Sequence, residues 1–243
     1  MAHLTTKRRI ATLLLVALLP LTAMQAQDAP NEDGKQLNTE IHGTIRSKYE
    51  YQTTMNAGRF EVRNARVSIT GNLLPKVAYK AEIDFSDEGS IKMLDAYARL
   101  FPLKGFTITA GQMRVPFTID AHRSPHQQYF ANRSFIAKQV GNVRDVGLTL
   151  GYTLPTSLPV ILEGGLYNGT GLTNQKVWHK EVNYSAKAQI FPTDGLNLTL
   201  SVQGIQPEEI WMHSYDIGAY FERKGFHIEG EYLYKQYSDN AFK

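Results

Sequence analysis

Apolar and polar residues alternate strictly over most of the chain, and this pattern constrains the fold more than any other feature. In the segment 77–85, apolar residues such as Tyr79 and Ala81 take odd positions, while Lys80 and Glu82 take even ones. Successive side chains of a β-strand point to opposite faces of the sheet. Each such segment therefore predicts a strand with an apolar environment on one side and a polar one on the other. The pattern recurs in 41–51, 182–190, 196–202, 215–221 and 226–234.

The connections between these segments fall into two classes. Every second connection is tight, whereas the others are generally longer and include 114–144, 168–179 and 206–213. Short turns at one end and long loops at the other are typical of outer-membrane barrels, whose short turns lie on the periplasmic side. We therefore predict an all-β fold, a transmembrane antiparallel β-barrel. About eleven strands are present, at 39–53, 60–73, 77–87, 91–101, 105–113, 145–153, 159–168, 180–191, 195–205, 214–223 and 226–237.

Two soluble architectures share part of this pattern. A β-sandwich also alternates, but its strands average about five or six residues and its turns show no such difference between the two ends. A soluble ligand-binding barrel alternates in the same way, with its apolar face inward, so periodicity alone does not exclude it. Strand length favours the membrane barrel, and so do the aromatic residues near strand ends, which resemble interfacial girdles. These are Tyr49, Tyr51, Phe85, Phe101, Phe106, Tyr152, Phe191 and Phe226.

The first 26 residues predict export. Lys7, Arg8 and Arg9 precede an apolar run over 10–21 and then small residues, which is typical of a secretory signal peptide. The run is shorter than the about 20 residues of a membrane-spanning helix. We predict a signal peptide over 1–26, with cleavage after Ala26. A flexible lead-in over 27–37 and the barrel over 38–243 follow.

Charge and cysteine content limit the possible partners. The chain has 26 basic and 23 acidic residues, and loss of the three leader cations makes the predicted mature protein formally neutral. Bulk charge therefore indicates no partner, and only local patterning can do so. The absence of cysteine excludes a disulfide scaffold and thiolate metal sites. We expect no cofactor, no metal and no nucleic-acid partner.

The connection 114–144 is long and basic. From Lys104 to Arg144 the chain has six basic residues and one acid, Asp120. Long loops in compact domains are usually functional. The run Ser124-Pro125-His126-Gln127 is typical of a helix start. A short helix of about three to four turns is predicted, with an ordered loop packed on the rim as the alternative. The helical spacing involves Tyr129, Arg133, Ile136 and Val140, with Gly141 able to end the helix.

Five short motifs in order carry a resemblance to a known family. They are Arg63-Asn64-Ala65-Arg66, Asp95-Ala96-Tyr97, Gly111-Gln112-Met113-Arg114-Val115-Pro116-Phe117, Phe130 through Ser134, and Arg144-Asp145-Val146-Gly147. On these motifs the chain resembles the phosphate-selective porin O and P family over most of 40–240. The resemblance implies a sixteen-stranded, trimeric barrel. Its third long loop, which corresponds to 114–144, would fold inward to narrow the pore.

The strand count also bears on completeness. Eleven is an odd number, whereas single-chain bacterial barrels close with an even number of strands. Family members also run well beyond this length. We therefore expect the sequence to be an N-terminal fragment of a longer barrel.

A pore acts through a water-filled lumen, rings of charge and a constriction. We predict an outer-membrane porin, surrounded by lipid, for passive diffusion of small anionic solutes. Phosphate and other oxyanions are candidates, because guanidinium groups match their oxygens. The predicted pore-lining residues are Arg46, Lys48, Arg66, Lys80 and Arg99 on the wall and Arg114, Arg123, Arg133, Lys138 and Arg144 on the loop.

Three alternatives remain open. The arginines could pair with Glu82, Asp84, Asp95 and Asp145 and only brace the wall. A structural barrel or adhesin without conductance would have the same strands. An outer-membrane enzyme would need a catalytic or metal site, for which His122, Ser124 and His126 are the candidates. Pro125 disturbs the helical register that metal ligation would need, and no catalytic motif accompanies them.

Overall fold

The computed structural model describes residues 38–140, 143–206 and 210–238. Eleven antiparallel strands form one sheet, in which each strand pairs with its neighbours in sequence. They are β1 (Asn38–Gln52), β2 (Ala57–Leu74), β3 (Val77–Asp87), β4 (Ser90–Leu103), β5 (Phe106–Arg114), β6 (Arg144–Leu154), β7 (Val160–Tyr167), β8 (Asn183–Thr193), β9 (Leu196–Ile205), β10 (Met212–Arg223) and β11 (Phe226–Tyr237).

The predicted strands are confirmed, and each observed bound lies within three residues of the prediction. The predicted signal peptide and lead-in lie outside the described residues. So does Gly141, which was expected to end the loop helix.

The two faces of the sheet have the opposite character to those of a soluble barrel. On β9, Thr199 is only 1% exposed whereas its neighbour Leu200 is 52% exposed. On β10, Asp216 is buried and Ile217 is 55% exposed. A soluble barrel buries its apolar face, but here the polar face is buried and the apolar face points outward. This arrangement is that of a lipid-facing barrel wall, so the soluble alternative is excluded.

The ends of the sheet differ as predicted. Two residues join β2 to β3, β4 to β5, β8 to β9 and β10 to β11. In the last of these turns Lys224 and Gly225 both have positive φ, at 51° and 82°. That combination is typical of a type I′ hairpin, whose twist matches the flanking strands. At the other end, here called the outer end, the connections include 115–143 and 168–182.

The segment 115–143, here called the inward loop, has much less helix than predicted. In its described part, residues 115–140 and 143, the helical elements are two single 3₁₀ turns, Pro125–Gln127 and Ile136–Lys138. Gln127 does hydrogen-bond back to Ser124, as the helix-start motif predicted, with the Ser124 N–H 3.3 Å from Gln127 Oε1. Gln128 is nevertheless extended, so the predicted helix of three to four turns is wrong. Among the described residues, no helix is long and apolar enough to span a membrane.

The inward loop lies on the polar face of the sheet and contains its own small core. Phe117, Ala121, Ala137 and Val140 are buried against one another, and Leu233 of β11 packs on them. The same loop reaches β1, because Arg46 donates a hydrogen bond to Gln128 Oε1 at 2.7 Å. Since β1 and β11 are the two edges of the described sheet, a loop that touches both must cross the concave side. The predicted inward folding is confirmed.

Candidate pore constriction

Polar side chains from β8, β9 and β11 hold the first part of the inward loop. The Thr118 N–H donates to Ser201 Oγ at 3.0 Å, and Lys187 Nζ donates to the Thr118 carbonyl at 2.6 Å. The Glu231 carboxylate accepts the N–H groups of Ile119 and Asp120. Thr118 is fully buried with φ at 56°. A β-branched residue is strained in this region, so the surrounding contacts must over-determine its conformation.

The loop then folds back on itself through side-chain contacts with its backbone. The Asp120 carboxylate accepts the Ser134 N–H at 2.8 Å, and Ser134 Oγ accepts the Ala137 N–H at 3.1 Å. The Arg133 guanidinium donates to the carbonyls of Asp120 and Arg123, the second at 2.6 Å. These bonds occupy backbone groups that a continuous helix would need for itself. They explain why only single helical turns form.

Two residues, Arg123 and Tyr129, hold the middle of the loop against β10 and β11. Arg123 forms an ion pair with Glu229. The Tyr129 hydroxyl donates to Glu222 Oε2 at 2.8 Å, and its ring stacks on His227 with 4.0 Å between ring centroids.

Three of the predicted pore-lining residues form a charge-balanced group on the wall. Arg66 lies 2.7 Å from Asp84, Lys80 lies 2.8 Å from Glu82, and Arg144 lies 2.6 Å from Asp95. Glu82 also contacts Arg66 at 3.3 Å and Arg144 at 3.2 Å. For these three cations the bracing alternative fits the contacts. We call the group the wall cluster, consisting of Arg66, Lys80, Glu82, Asp84, Asp95 and Arg144.

Asp145 was proposed as another partner for an arginine, and the structure corrects this. Its carboxylate accepts the backbone N–H groups of Val146 at 2.7 Å and Gly169 at 2.8 Å. It therefore ties the connection 168–182 to β6, and it forms no ion pair with an arginine among the described residues.

Two more of the predicted wall cations, Lys48 and Arg99, lie apart from the wall cluster. Lys48 forms ion pairs with Glu50 at 2.6 Å and Glu61 at 3.1 Å. Arg99 donates to Thr109 Oγ1 at 2.9 Å, and its guanidinium lies over the Tyr97 ring, 5.3 Å from the centroid.

Three further arginines have uncharged acceptors. Arg46 donates to Gln128 and to the Phe130 carbonyl at 3.0 Å. Arg114 donates to carbonyls of the inward loop, including that of His122 at 3.2 Å, and its Nη2 is buried without a hydrogen-bond partner in the described part of the chain. Arg133 donates to the two carbonyls described above. None of the three forms an ion pair with a carboxylate of a described residue. We call Arg46, Arg114 and Arg133 the carbonyl-held group.

The electrostatic environment of the loop is positive. Burial lowers the pKa of Arg133 to about 10; the charge of Asp120 opposes this shift, and the charges of Arg66 and Arg144 add to it. Burial lowers the pKa of His122 well below its usual range, and Lys187 and Arg114 lower it further. His122 is therefore neutral at pH 7, while Arg133 remains charged. Lys138, the last of the predicted loop cations, is exposed.

Sequence analysis missed the residues that fix the loop. Alternation places Lys187, Ser201, Glu229 and Glu231 on the polar faces of their strands, but nothing local shows that they meet residues 118–123. The partner residues lie about 70 to 110 positions away in the chain. Only the pairing of all these strands into one sheet brings them together.

A comparison with known families decides the classification. The sequence profile described as phosphate-selective porin O and P matches residues 36–232. The chain belongs to this family. The resemblance predicted from the five motifs is thus confirmed, and with it the bacterial outer membrane as the location of this porin-family chain.

The comparisons with solved structures and with curated proteins give no closer classification. OmpT, an outer membrane protein of Vibrio cholerae in its trimer form, shares 9% identity at a TM-score of 0.47, covering 84% of this chain and 79% of that one. A loop L8 deletion mutant of the same protein shares 9% identity at a TM-score of 0.46, covering 83% of each chain. No curated protein matches the sequence.

Proposed function

We propose that this porin-family chain is a passive, water-filled channel that prefers small anions, with the inward loop as its constriction. The carbonyl-held group carries the proposal. Backbone carbonyls satisfy the hydrogen-bonding geometry of a guanidinium without cancelling its formal charge. Arg46, Arg114 and Arg133 therefore leave positive charge where the loop crosses the lumen.

The position of these charges matters more than the total charge of the protein. A charge in a narrow passage with low-dielectric walls is poorly screened, whereas a charge at the rim sits in electrolyte with a Debye length of about 8–10 Å. The wall cluster contributes three cations and three acids and is balanced within itself. Lys138 adds an exposed cation to the loop. Anion preference thus follows because positive side-chain charges outnumber negative ones at the loop, whereas the charges of the wall cluster cancel.

The substrate class follows from the same groups. A guanidinium presents N–H donors in a planar fork that matches the oxygens of phosphate and carboxylate. We propose oxyanions of this kind, phosphate among them, as permeant solutes. Permeation makes and breaks no covalent bond, so the protein acts without catalytic residues. We also propose a homotrimer, on family membership, which native mass spectrometry of the purified protein tests.

Reversal-potential measurements in planar bilayers test the anion preference. The variant Arg46→Gln/Arg133→Gln/Lys138→Gln removes one cation of β1 that contacts the loop and two cations of the loop itself, while keeping hydrogen-bonding capacity. We expect its reversal potential in a salt gradient to move towards that of a cation-preferring channel, with lower anion conductance.

The matched control is Arg123→Gln/Glu229→Gln, which removes an ion pair from the same loop and leaves the net charge unchanged. It should keep the wild-type selectivity. If the triple variant folds and conducts with unchanged selectivity, the loop cations are scaffold and the proposal is wrong. If the wild-type protein inserts and does not conduct at all, the structural-barrel alternative replaces it.

A further inference from the structure

A groove runs along the lipid-facing side of β8 to β11, where the family classification requires only a smooth apolar surface. Its volume is about 600 Å³, within the roughly 300–1,000 Å³ typical of ligand pockets. The lining is almost entirely apolar. It includes Ala186, Ala188, Leu200, Tyr215, Tyr232 and Tyr234.

Strand register explains why a groove exists at this place. Ala186 pairs with Val202, Val202 with Tyr215, and Tyr215 with Tyr234, so one row of side chains crosses four strands. Along this row the side chains grow from a methyl group on β8 to a phenol on β11. The neighbouring row starts at Ala188 and ends at Tyr232 in the same way. The two alanines therefore form the base of the groove, and the tyrosines form one of its sides.

An aromatic cluster with polar atoms closes the outer end of the groove. The next row contains Tyr184, Gly204 and His213. The Tyr184 ring lies over Gly204, where a Cβ would be 2.3 Å from it. The Tyr184 hydroxyl lies 2.9 Å from His213 Nδ1, and Trp211 stacks on the His213 ring with 5.6 Å between centroids. We call Tyr184, Trp211 and His213 the aromatic shelf.

The shelf has a free polar atom at the depth of lipid headgroups. When His213 Nδ1 accepts the Tyr184 hydroxyl hydrogen, Nε2 carries a proton and can donate to an anion. Within the described residues His213 Nε2 has no hydrogen-bond partner. The tight turns 194–195 and 224–225 join the opposite ends of these strands. The shelf therefore lies at the outer end, where Trp and Tyr mark the membrane boundary.

We propose that this surface binds a phosphorylated glycolipid of the outer leaflet, with one acyl chain in the groove and a phosphate at the aromatic shelf. Both parts are needed for a specific site. Apolar contact alone gives little preference within a membrane, because the surrounding lipid tails are equally apolar. The groove supplies close packing for a chain, and His213 with Tyr184 supplies the polar recognition. The site is separate from the pore and does not depend on the channel's ion preference.

Native mass spectrometry of the full chain, refolded in detergent and supplied with purified lipid A, tests this proposal. We expect the wild type to retain one lipid A molecule and to retain dephosphorylated lipid A about tenfold less, since a hydrogen bond to a charged group is worth about that factor. His213→Ala should remove the difference between the two lipids. Ala186→Phe/Ala188→Phe should fill the groove and reduce retention of both.

The control is Ala98→Phe, a change of the same kind at an exposed alanine of β4, which should bind lipid A as the wild type does. Ala186→Leu/Ala188→Leu provides a milder filling if the phenylalanine pair does not fold. Unchanged lipid A retention in a folded groove variant would overturn the proposal. So would a groove variant that retains lipid A but loses its oligomeric state, since the groove would then hold a second copy of the chain.

Discussion

The wall cluster and the carbonyl-held group contain the same kinds of cation, yet they have different partners. In the wall cluster, Arg66 pairs across two strands with Asp84, its direct neighbour in register. In the carbonyl-held group, Arg133 reaches only backbone carbonyls of its own loop. Strand pairing places carboxylates next to the cations of the wall cluster, whereas the inward loop has a single acid, Asp120. The comparison shows that a cation's partner, more than its identity, decides whether its charge remains available.

The largest effect should come from removing an acid of the wall cluster. Asp95 is 2% exposed and lies between Lys80 and Arg144. Asp95→Asn leaves both cations short of a partner, and breaking a buried pair costs roughly 3–5 kcal/mol. Urea unfolding in lipid vesicles measures this loss.

Asp87→Asn is the matched control, because the Asp87–Lys92 pair is about half exposed on both sides. Exposed pairs contribute about 0–1 kcal/mol. Equal losses in the two variants would show that the wall cluster is no more than a surface network.

Another test places a cation on the lipid-facing side of the sheet, where it finds neither a carboxylate nor a backbone carbonyl as a partner. Ala81 faces lipid on β3, so Ala81→Arg should lower the free energy of unfolding by roughly 2–4 kcal/mol. Thr70→Arg adds the same residue on the polar face of β2 and should cost clearly less. The same unfolding assay compares them, and equal costs would contradict the assigned faces. Glu82→Arg is unsuitable as the comparison, because Glu82 contacts three cations.

A conservative change separates charge from geometry in the carbonyl-held group. Arg133→Lys keeps the charge but cannot reach two carbonyls with a rigid fork. We expect unchanged ion selectivity and a less stable loop, by about 1 kcal/mol for one lost hydrogen bond. Limited proteolysis of the inward loop reports the stability, and the reversal potential reports the charge. A changed selectivity would mean that the fork, and not the charge, sets the preference.

The smallest effect concerns pH. The folded-state pKa of His122 is lowered, so the unfolded chain takes up a proton first as the pH falls below about 6.5. The stability contributed by neutral His122 is therefore fully present above that pH and is lost as the pH falls, by at most about 1.4 kcal/mol per pH unit. His122→Asn should reduce the loss between pH 7.5 and 5.5. Identical pH dependence of unfolding in the two proteins would argue against a His122 that is kept neutral by the folded protein.

Much of the wall could be predicted from sequence, because strand alternation is a local property. The bounds of β3 and β11 follow directly from residues such as Tyr79 and Tyr232. The loop could not be predicted in the same way. Tyr129, Arg133 and Ile136 have helical spacing, but their environment is set by Asp120 within the loop and by Glu222 and Glu229 on distant strands. Tertiary contacts overrode the local helical preference.

The small core of the inward loop has a consequence for folding kinetics. Phe117 and Val140 pack against Leu233 of β11, and the Glu231 and Glu229 contacts come from the same strand. Contacts this distant along the chain form slowly, because a long segment must be closed first. We therefore expect the loop to settle only after β11 has joined the sheet. A partly assembled barrel would pass through a stage with a wider passage than the finished protein.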